Sequence, residues 1–230
     1  SCWKMLVLAI DTSTKAGSVA LFDDKKGLLG EIIINIDRNH SDTMMKAIDY
    51  LFEISKKKID DLSKIAVTEG PGSFTGIRVG MGIVKGLVFG KNIEVVSMNT
   101  LDLLAEEVIF EGEVVPLIDA RKGRVYYSIY EKNASKTKRI LNYMDGELEK
   151  ILETLKNRKI CFTGDASYIY KNEIINIMGE NAIFLPESRI LPRASILAEK
   201  ALNLEKVNPI ILEPYYHSKT QAEREKENKK

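Results

Sequence analysis

Little in this chain suits disulfide or metal chemistry. Its 230 residues include two cysteines, Cys2 and Cys161, and two histidines, His40 and His217. The cysteines give no disulfide framework and no paired metal spacing, which fits a reducing, cytoplasmic setting. A histidine pair four apart on one helix face could share a metal, but position 44, one turn after His40, is Met, a poor ligand for a hard or borderline ion. Neither charge sign prevails. With 34 Lys plus Arg against 33 Asp plus Glu, the net charge is +1, which argues against a protein that holds nucleic acid alone through a basic field. A helper inside a nucleic-acid-processing complex remains compatible. No apolar run reaches membrane-spanning length. The opening Ser-Cys-Trp-Lys lacks the plan of a signal peptide, and residues 1–4 are set aside from the fold. There is no P-loop, no dinucleotide fingerprint and no nucleophile elbow; Ser73 lies in Gly-Pro-Gly-Ser-Phe-Thr-Gly instead.

What the chain does have is alternation of apolar strands and helical periods. Leu6–Ile10 reads as a buried strand, followed by the small polar turn Asp11-Thr12-Ser13-Thr14-Lys15-Ala16-Gly17. Strands at 18–22 and 31–36 follow. Ser41 is a candidate N-cap, with Met44, Met45, Ile48, Leu51 and Phe52 at helical spacing behind it. A strand at 65–68 precedes the Gly-rich run at 69–82 and a helix from Thr75 to Gly90. A strand at 93–97 and a helix capped by Thr100 close this half. The second half then resembles the first: Val114–Asp119 parallels Leu6–Asp11, each an apolar strand ending in Asp before a turn with Gly and another strand (18–22, 124–130). Duplication of a βββαβα lobe is one reading, and chance is the other. Boundaries fall at 5–103, 104–220 and a charged tail, 221–230, with the composition of a frayed or disordered end. A helix near 145–156, a strand at 159–163 and helices at 172–178 and 193–202 fill the second lobe.

Two features could carry function. The Asp11–Gly17 turn suits a hairpin that wraps phosphate or holds hydrated Mg²⁺, and equally a turn whose hydroxyls satisfy their own backbone. Gly70-Pro71-Gly72 cannot sit inside a helix or strand, so it forms a turn that either cradles an anion or packs tightly. The glycines at 76, 80, 82, 86 and 90 each cost a helix interior up to about 1 kcal/mol against Ala. Their spacing predicts a close backbone approach, either to this chain's own sheet or to another molecule. Met44, Met45, Ile48 and Phe52 serve a core or an adaptable interface.

The segments Leu8–Thr14, Arg38-Asn39-His40-Ser41, Gly70–Gly80, Lys85-Gly86-Leu87, Asp119–Tyr126, Pro214-Tyr215-Tyr216 and Gln221-Ala222-Glu223-Arg224 together resemble the bacterial TsaB (YeaZ) family over residues 5 to about 225. The resemblance implies an α/β fold of the actin, Hsp70 and sugar-kinase superfamily, with two related βββαβα lobes, the second reduced. It implies a cytoplasmic, non-catalytic subunit, without cofactor or metal, in the synthesis of threonylcarbamoyladenosine beside the anticodon of tRNAs. Its partners would be the catalytic paralogue TsaD, the ATPase TsaE, a second copy when alone, and tRNA only within the complex. Asp11, Thr12, Ser13 and Thr14 would be a degenerate phosphate loop. Met44, Met45, Ile48, Gly82, Lys85 and Phe89 would meet the partner. A stand-alone small-molecule kinase of the superfamily and a metal-dependent peptidase are the other classes.

Overall fold

The computed structural model describes residues 5–35, 40–134 and 136–215, with the backbone alone at His40. The expectations at residues 1–4, Arg38, Asn39, the His40 side chain, Tyr216, His217 and the tail lie outside the described residues.

The first lobe is one five-stranded sheet in the order β3-β2-β1-β4-β5, with β1 Leu6–Asp11, β2 Gly17–Asp23, β3 Gly27–Ile34, β4 Lys64–Thr68 and β5 Glu94–Met98. β1 pairs antiparallel with β2 and parallel with β4, and β4 pairs parallel with β5. β1 is buried along its whole length, so it reads as a continuous apolar run, as a strand covered on both faces must. The helices α1 (His40–Ser55) and α2 (Phe74–Val88) cover one face. Met44, Ile48 and Leu51 from α1, and Ile77, Met81, Val84 and Val88 from α2, form that core with Leu8, Ile10 and Val67. α1 already includes Ser41, so Ser41 lies within its first turn. α2 starts after Ser73, whose hydroxyl accepts the Gly76 N–H at 3.2 Å. Four buried apolar side chains on α2, about 1.5–3 kcal/mol each, outweigh the roughly 4 kcal/mol its four interior glycines cost.

The second lobe repeats the plan. Its main sheet runs β10-β7-β6-β11-β12, with β6 Gly112–Asp119, β7 Arg124–Tyr127, β10 Met144–Glu147, β11 Ile160–Thr163 and β12 Ala182–Phe184. β6 pairs antiparallel with β7 and parallel with β11, and β11 pairs parallel with β12. This is the order and direction of the first sheet, so the repeat seen in the sequence is a structural duplication. The strand expected at 124–130 breaks at Ser128 and Ile129. Tyr130–Asn133 (β8) then pairs the other end of β6 and Lys136–Arg139 (β9). The covering helices α4 (Leu148–Leu155), α5 (Asp165–Ile169) and α6 (Lys171–Met178) are shorter than α1 and α2.

The remaining two helices cross over. α3 (Thr100–Glu106) follows β5, yet Leu101, Leu104 and Ala105 pack with Ile118, Val114 and Tyr130 of the second lobe. Asn99, not Thr100, caps it, accepting the Leu101 N–H at 2.8 Å. α7 (Ala194–Lys200) follows β12, yet Ala194, Leu197 and Ala198 cover the free face of the first sheet at Val7, Ala9, Ala20 and Ala66. A segment assigned by sequence order to the second lobe therefore packs on the first. Its alanines and the small residues of β1 and β2 allow the helix to approach closely. No helix among the described residues is long and apolar enough to cross a membrane.

Candidate functional site

The Asp11 turn sits at the carboxyl end of β1, where open α/β sheets place their ligands. Here its polar groups turn inward. Asp11 Oδ1 accepts the Ser13 hydroxyl at 2.5 Å and the Thr68 hydroxyl at 2.6 Å. Thr12 Oγ1 donates to the Gly76 carbonyl at 2.6 Å. Asp11, Thr12, Ser13 and Thr14 are all buried. Burial pushes the Asp11 carboxyl up to about 6, against the hydrogen bonds from Ser13 and Thr68. Its Oδ2 has no partner among the described residues.

What covers this turn is the Gly-rich run. The Ser73 N–H donates to the Ser13 carbonyl at 2.7 Å. A β-carbon at Gly72 would stand 2.0 Å from that carbonyl oxygen, and Gly72 has φ +154°. A β-carbon at Gly76 would stand 2.2 Å from the Thr12 carbonyl oxygen, and one at Gly80 2.4 Å from Thr12 Oγ1. The turn that could wrap phosphate or satisfy its own hydroxyls is thus filled by the chain's own backbone. Hydroxyls that a phosphate would need are engaged at Asp11, Gly76 and Ala16. Gly164 repeats the device in the second lobe, with a β-carbon position 2.2 Å from the Leu117 carbonyl oxygen. There Asp119 takes the Tyr170 hydroxyl at 3.0 Å and the Arg121 N–H at 2.9 Å.

Gly82 and Gly86 behave differently: nothing lies within 4 Å of a β-carbon built on either. They belong to the outward stripe of α2, with Phe74, Arg78, Lys85 and Phe89, all exposed. Phe89 is 88% exposed. The Arg78 guanidinium stacks over the Phe74 ring at 3.8 Å. α1 lies beside α2 on the same sheet face, and its outward side carries Asp42, Lys46, Asp49, Tyr50, Glu53 and Ile54. Of the six residues expected at a partner surface, Gly82, Lys85 and Phe89 are on this face. Met45 is half-buried at its edge. Met44 and Ile48 are not available: at 1% and 0% exposure they belong to the core, because i, i+4 spacing carries both toward the sheet with Leu51.

The sequence reading missed the junction between the lobes. Asp102 on α3 accepts the Tyr130 hydroxyl at 2.5 Å and the Tyr143 hydroxyl, and pairs with Arg139 at 3.4 Å. Arg193 pairs with Glu31 on β3 at 2.5 Å, and its N–H donates to Glu107 at 2.5 Å. Burial pushes the Glu107 carboxyl well above its ordinary value, opposed by that N–H and reinforced by the nearby Asp11 charge. These partners lie 28 to 162 residues apart, so no local signal could reveal them. Among the described residues, no group of three or more His, Cys, Asp or Glu side chains could hold a metal ion.

The family model described as TsaD, tRNA N6-adenosine threonylcarbamoyltransferase, matches residues 27–223. The tRNA threonylcarbamoyladenosine biosynthesis protein TsaB of Bacillus subtilis is 31% identical over 222 residues, 95% of this chain and 96% of that one. TsaB of Escherichia coli is 34% identical over 132 residues, 56% of each chain. The solved structure of YeaZ from Pseudomonas aeruginosa superposes with a TM-score of 0.77 at 26% identity, covering 92% of this chain and 99% of that one. With the duplicated lobes, the glycine run closed over the Asp11 turn and near-full-length similarity to a TsaB protein, the chain belongs to the TsaB (YeaZ) family.

Proposed function

We propose that this chain serves tRNA threonylcarbamoyladenosine synthesis as a non-catalytic subunit, pairing with a TsaD-type paralogue through the outward faces of α1 and α2. The observation that carries this reading is the α2 stripe, where bare backbone at Gly82 and Gly86 lies between exposed Phe74 and Phe89. An exposed apolar face with no side chains at its centre invites another helix to pack closely. Charge supports a partner of the same shape. α1 carries three carboxylates and one lysine, whereas α2 carries Arg78 and Lys85 and no carboxylate. A homologous pair turned by a two-fold axis would set acidic against basic. In this reading the paired surface recruits the TsaE ATPase, and tRNA is met only by the assembled complex.

Gly82→Trp tests it. The position is helical, exposed and open, so the monomer should melt no lower than the wild type. In size-exclusion chromatography with light scattering, the variant should fail to form a complex with TsaD from the same organism. In a reconstituted reaction it should fail to support modified-tRNA formation. A folded Gly82→Trp variant that pairs and supports modification as well as wild type would refute the reading.

A further inference from the structure

The start of α7 is held by side chains from three other elements. Arg193, the residue before the helix, makes no side-chain cap of its own. Its N–H donates to Glu107 Oε1 at 2.5 Å, just beyond α3. The Ala194 N–H donates to the Ser18 hydroxyl of β2 at 3.0 Å, and the Ser195 N–H to Glu31 Oε2 of β3 at 2.7 Å. The Ser18 hydroxyl donates in turn to the Pro192 carbonyl at 3.0 Å. These bonds fasten a helix from the second half of the chain onto the free face of the first sheet.

The two carboxyls among these acceptors are not equally satisfied. Glu31 is bonded at both oxygens, by the Ser195 N–H and by the Arg193 guanidinium. Glu107 is bonded at one, and its Oε2 is buried without a partner among the described residues. Asp11 Oδ2 is in the same condition on β1, where Asp11 stands across the ladder from Ser18. The charges that face Glu107 are Asp11 from β1, Glu31 from β3, Arg193 from the start of α7 and Lys132 from β8. Lys132 is engaged elsewhere, donating to the Ala105 and Glu106 carbonyls. Three carboxyls therefore surround one nearby guanidinium, and Glu31 already holds it.

We infer that Glu107 is a proton-operated clasp on α7: the neutral carboxyl keeps the helix on the first sheet, and the carboxylate lets it lift away while both sheets stay folded. Neutral Glu107 still accepts the Arg193 N–H and brings no charge beside Asp11 and Glu31. The carboxylate keeps that bond but sets a buried, half-bonded charge among like charges. Lifting α7 returns that charge to water. The sign follows from burial, which holds the folded-state carboxyl well above its ordinary 4.5. Such an acid favours the docked helix below its ordinary value and loses that contribution as pH rises through the raised one. Lifting uncovers Val7, Ala9, Ala20 and Ala66, on the sheet face opposite α1 and α2, so the clasp acts independently of the proposed pairing surface.

Hydrogen exchange of the full chain, read by mass spectrometry from pH 5 to pH 8 with the intrinsic rates divided out, tests this. In wild type the protection of residues 194–200 should fall by about tenfold per pH unit until the raised value of Glu107 is passed. At every pH it should stay below the protection of β11, because α7 opens without global unfolding. Glu107→Gln keeps an acceptor for the Arg193 N–H and carries no charge, so its α7 protection should lose the pH dependence. A wild-type profile that is flat overturns the clasp. So does α7 protection equal to that of β11 throughout, which would mean that the helix leaves only when the whole chain unfolds. A Glu107→Gln profile that falls as steeply as wild type overturns Glu107 as the titrating group.

Discussion

Gly76→Ala and Gly86→Ala put the same methyl group into the same helix ten residues apart, and the structure assigns them opposite signs. At Gly86 nothing lies within 4 Å of the new carbon. The change should stabilise the monomer by up to about 1 kcal/mol, the helix-propensity difference. At Gly76 the same gain is opposed by a carbon placed 2.2 Å from the Thr12 carbonyl oxygen. That oxygen is backbone of the buried Thr12, so it cannot rotate aside as a side chain could. Relief requires α2 or the turn to shift, which would also strain the Thr12 hydroxyl bond to the Gly76 carbonyl. Overpacking of this kind costs about 1–3 kcal/mol, and a contact this short against backbone belongs at the upper end. The net expectation is about 2 kcal/mol of destabilisation at Gly76. In a chain of this size 1 kcal/mol moves the melting midpoint by roughly 2–4 °C, so the two variants should differ by roughly 6–12 °C. Urea unfolding followed by circular dichroism would give the same ordering in midpoint with an unchanged slope. A Gly76→Ala protein as stable as Gly86→Ala would refute the claim that the Gly-rich helix is locked onto the Asp11 turn.

The Asp11 carboxyl, raised to about 6, carries a pH signature. A raised acid favours the folded state below its unfolded value near 4 and loses that contribution as pH rises through about 6. Asp11→Asn should therefore gain on wild type between pH 4 and pH 7 in urea midpoints, and a constant difference would contradict the raised value. Asp102→Ala leaves the Tyr130 hydroxyl, on a residue 2% exposed, without its acceptor, and should cost about 1.5–3 kcal/mol by denaturant unfolding. Asp102→Asn, which keeps an acceptor, should cost less; equal losses would show that the acceptor is not what matters. Arg193→Ala should likewise destabilise the chain by leaving Glu31 buried without its cation, and Glu31→Gln in the same chain should recover part of the loss.

The glycine spacing shows how far the sequence could be read. At 100° per residue Gly76 and Gly80 share one face of α2, while Gly82 and Gly86 lie roughly 200° around from Gly80. The two faces were therefore legible. The identity of the inward partner was not, because Thr12 is 64 residues away. The same period shows why Met44 and Ile48 had to be core: they share a face with Leu51, which the sheet claims. Asp11 and Asp119 could be seen as matching strand ends, yet whether the turn after Asp11 was open or filled depended on the Gly-rich run folding back over it. The crossing of α3 and α7 left no trace, since an amphipathic helix records that it has a covered face but not which sheet covers it.

The exchange of α3 and α7 has a consequence for synthesis. Val7, Ala9 and Ala20 leave the ribosome early, but the helix that covers them, residues 194–200, emerges only after almost all the rest of the described chain. Throughout that interval one face of a complete five-stranded sheet lacks its main cover, with only Leu103 of α3 to pack on it, a surface prone to capture by other nascent chains. The final closure also joins residues nearly two hundred positions apart, which makes it a slow step of folding. The first sheet should therefore be fully covered only once residues 194–200 have emerged and α7 reaches its place.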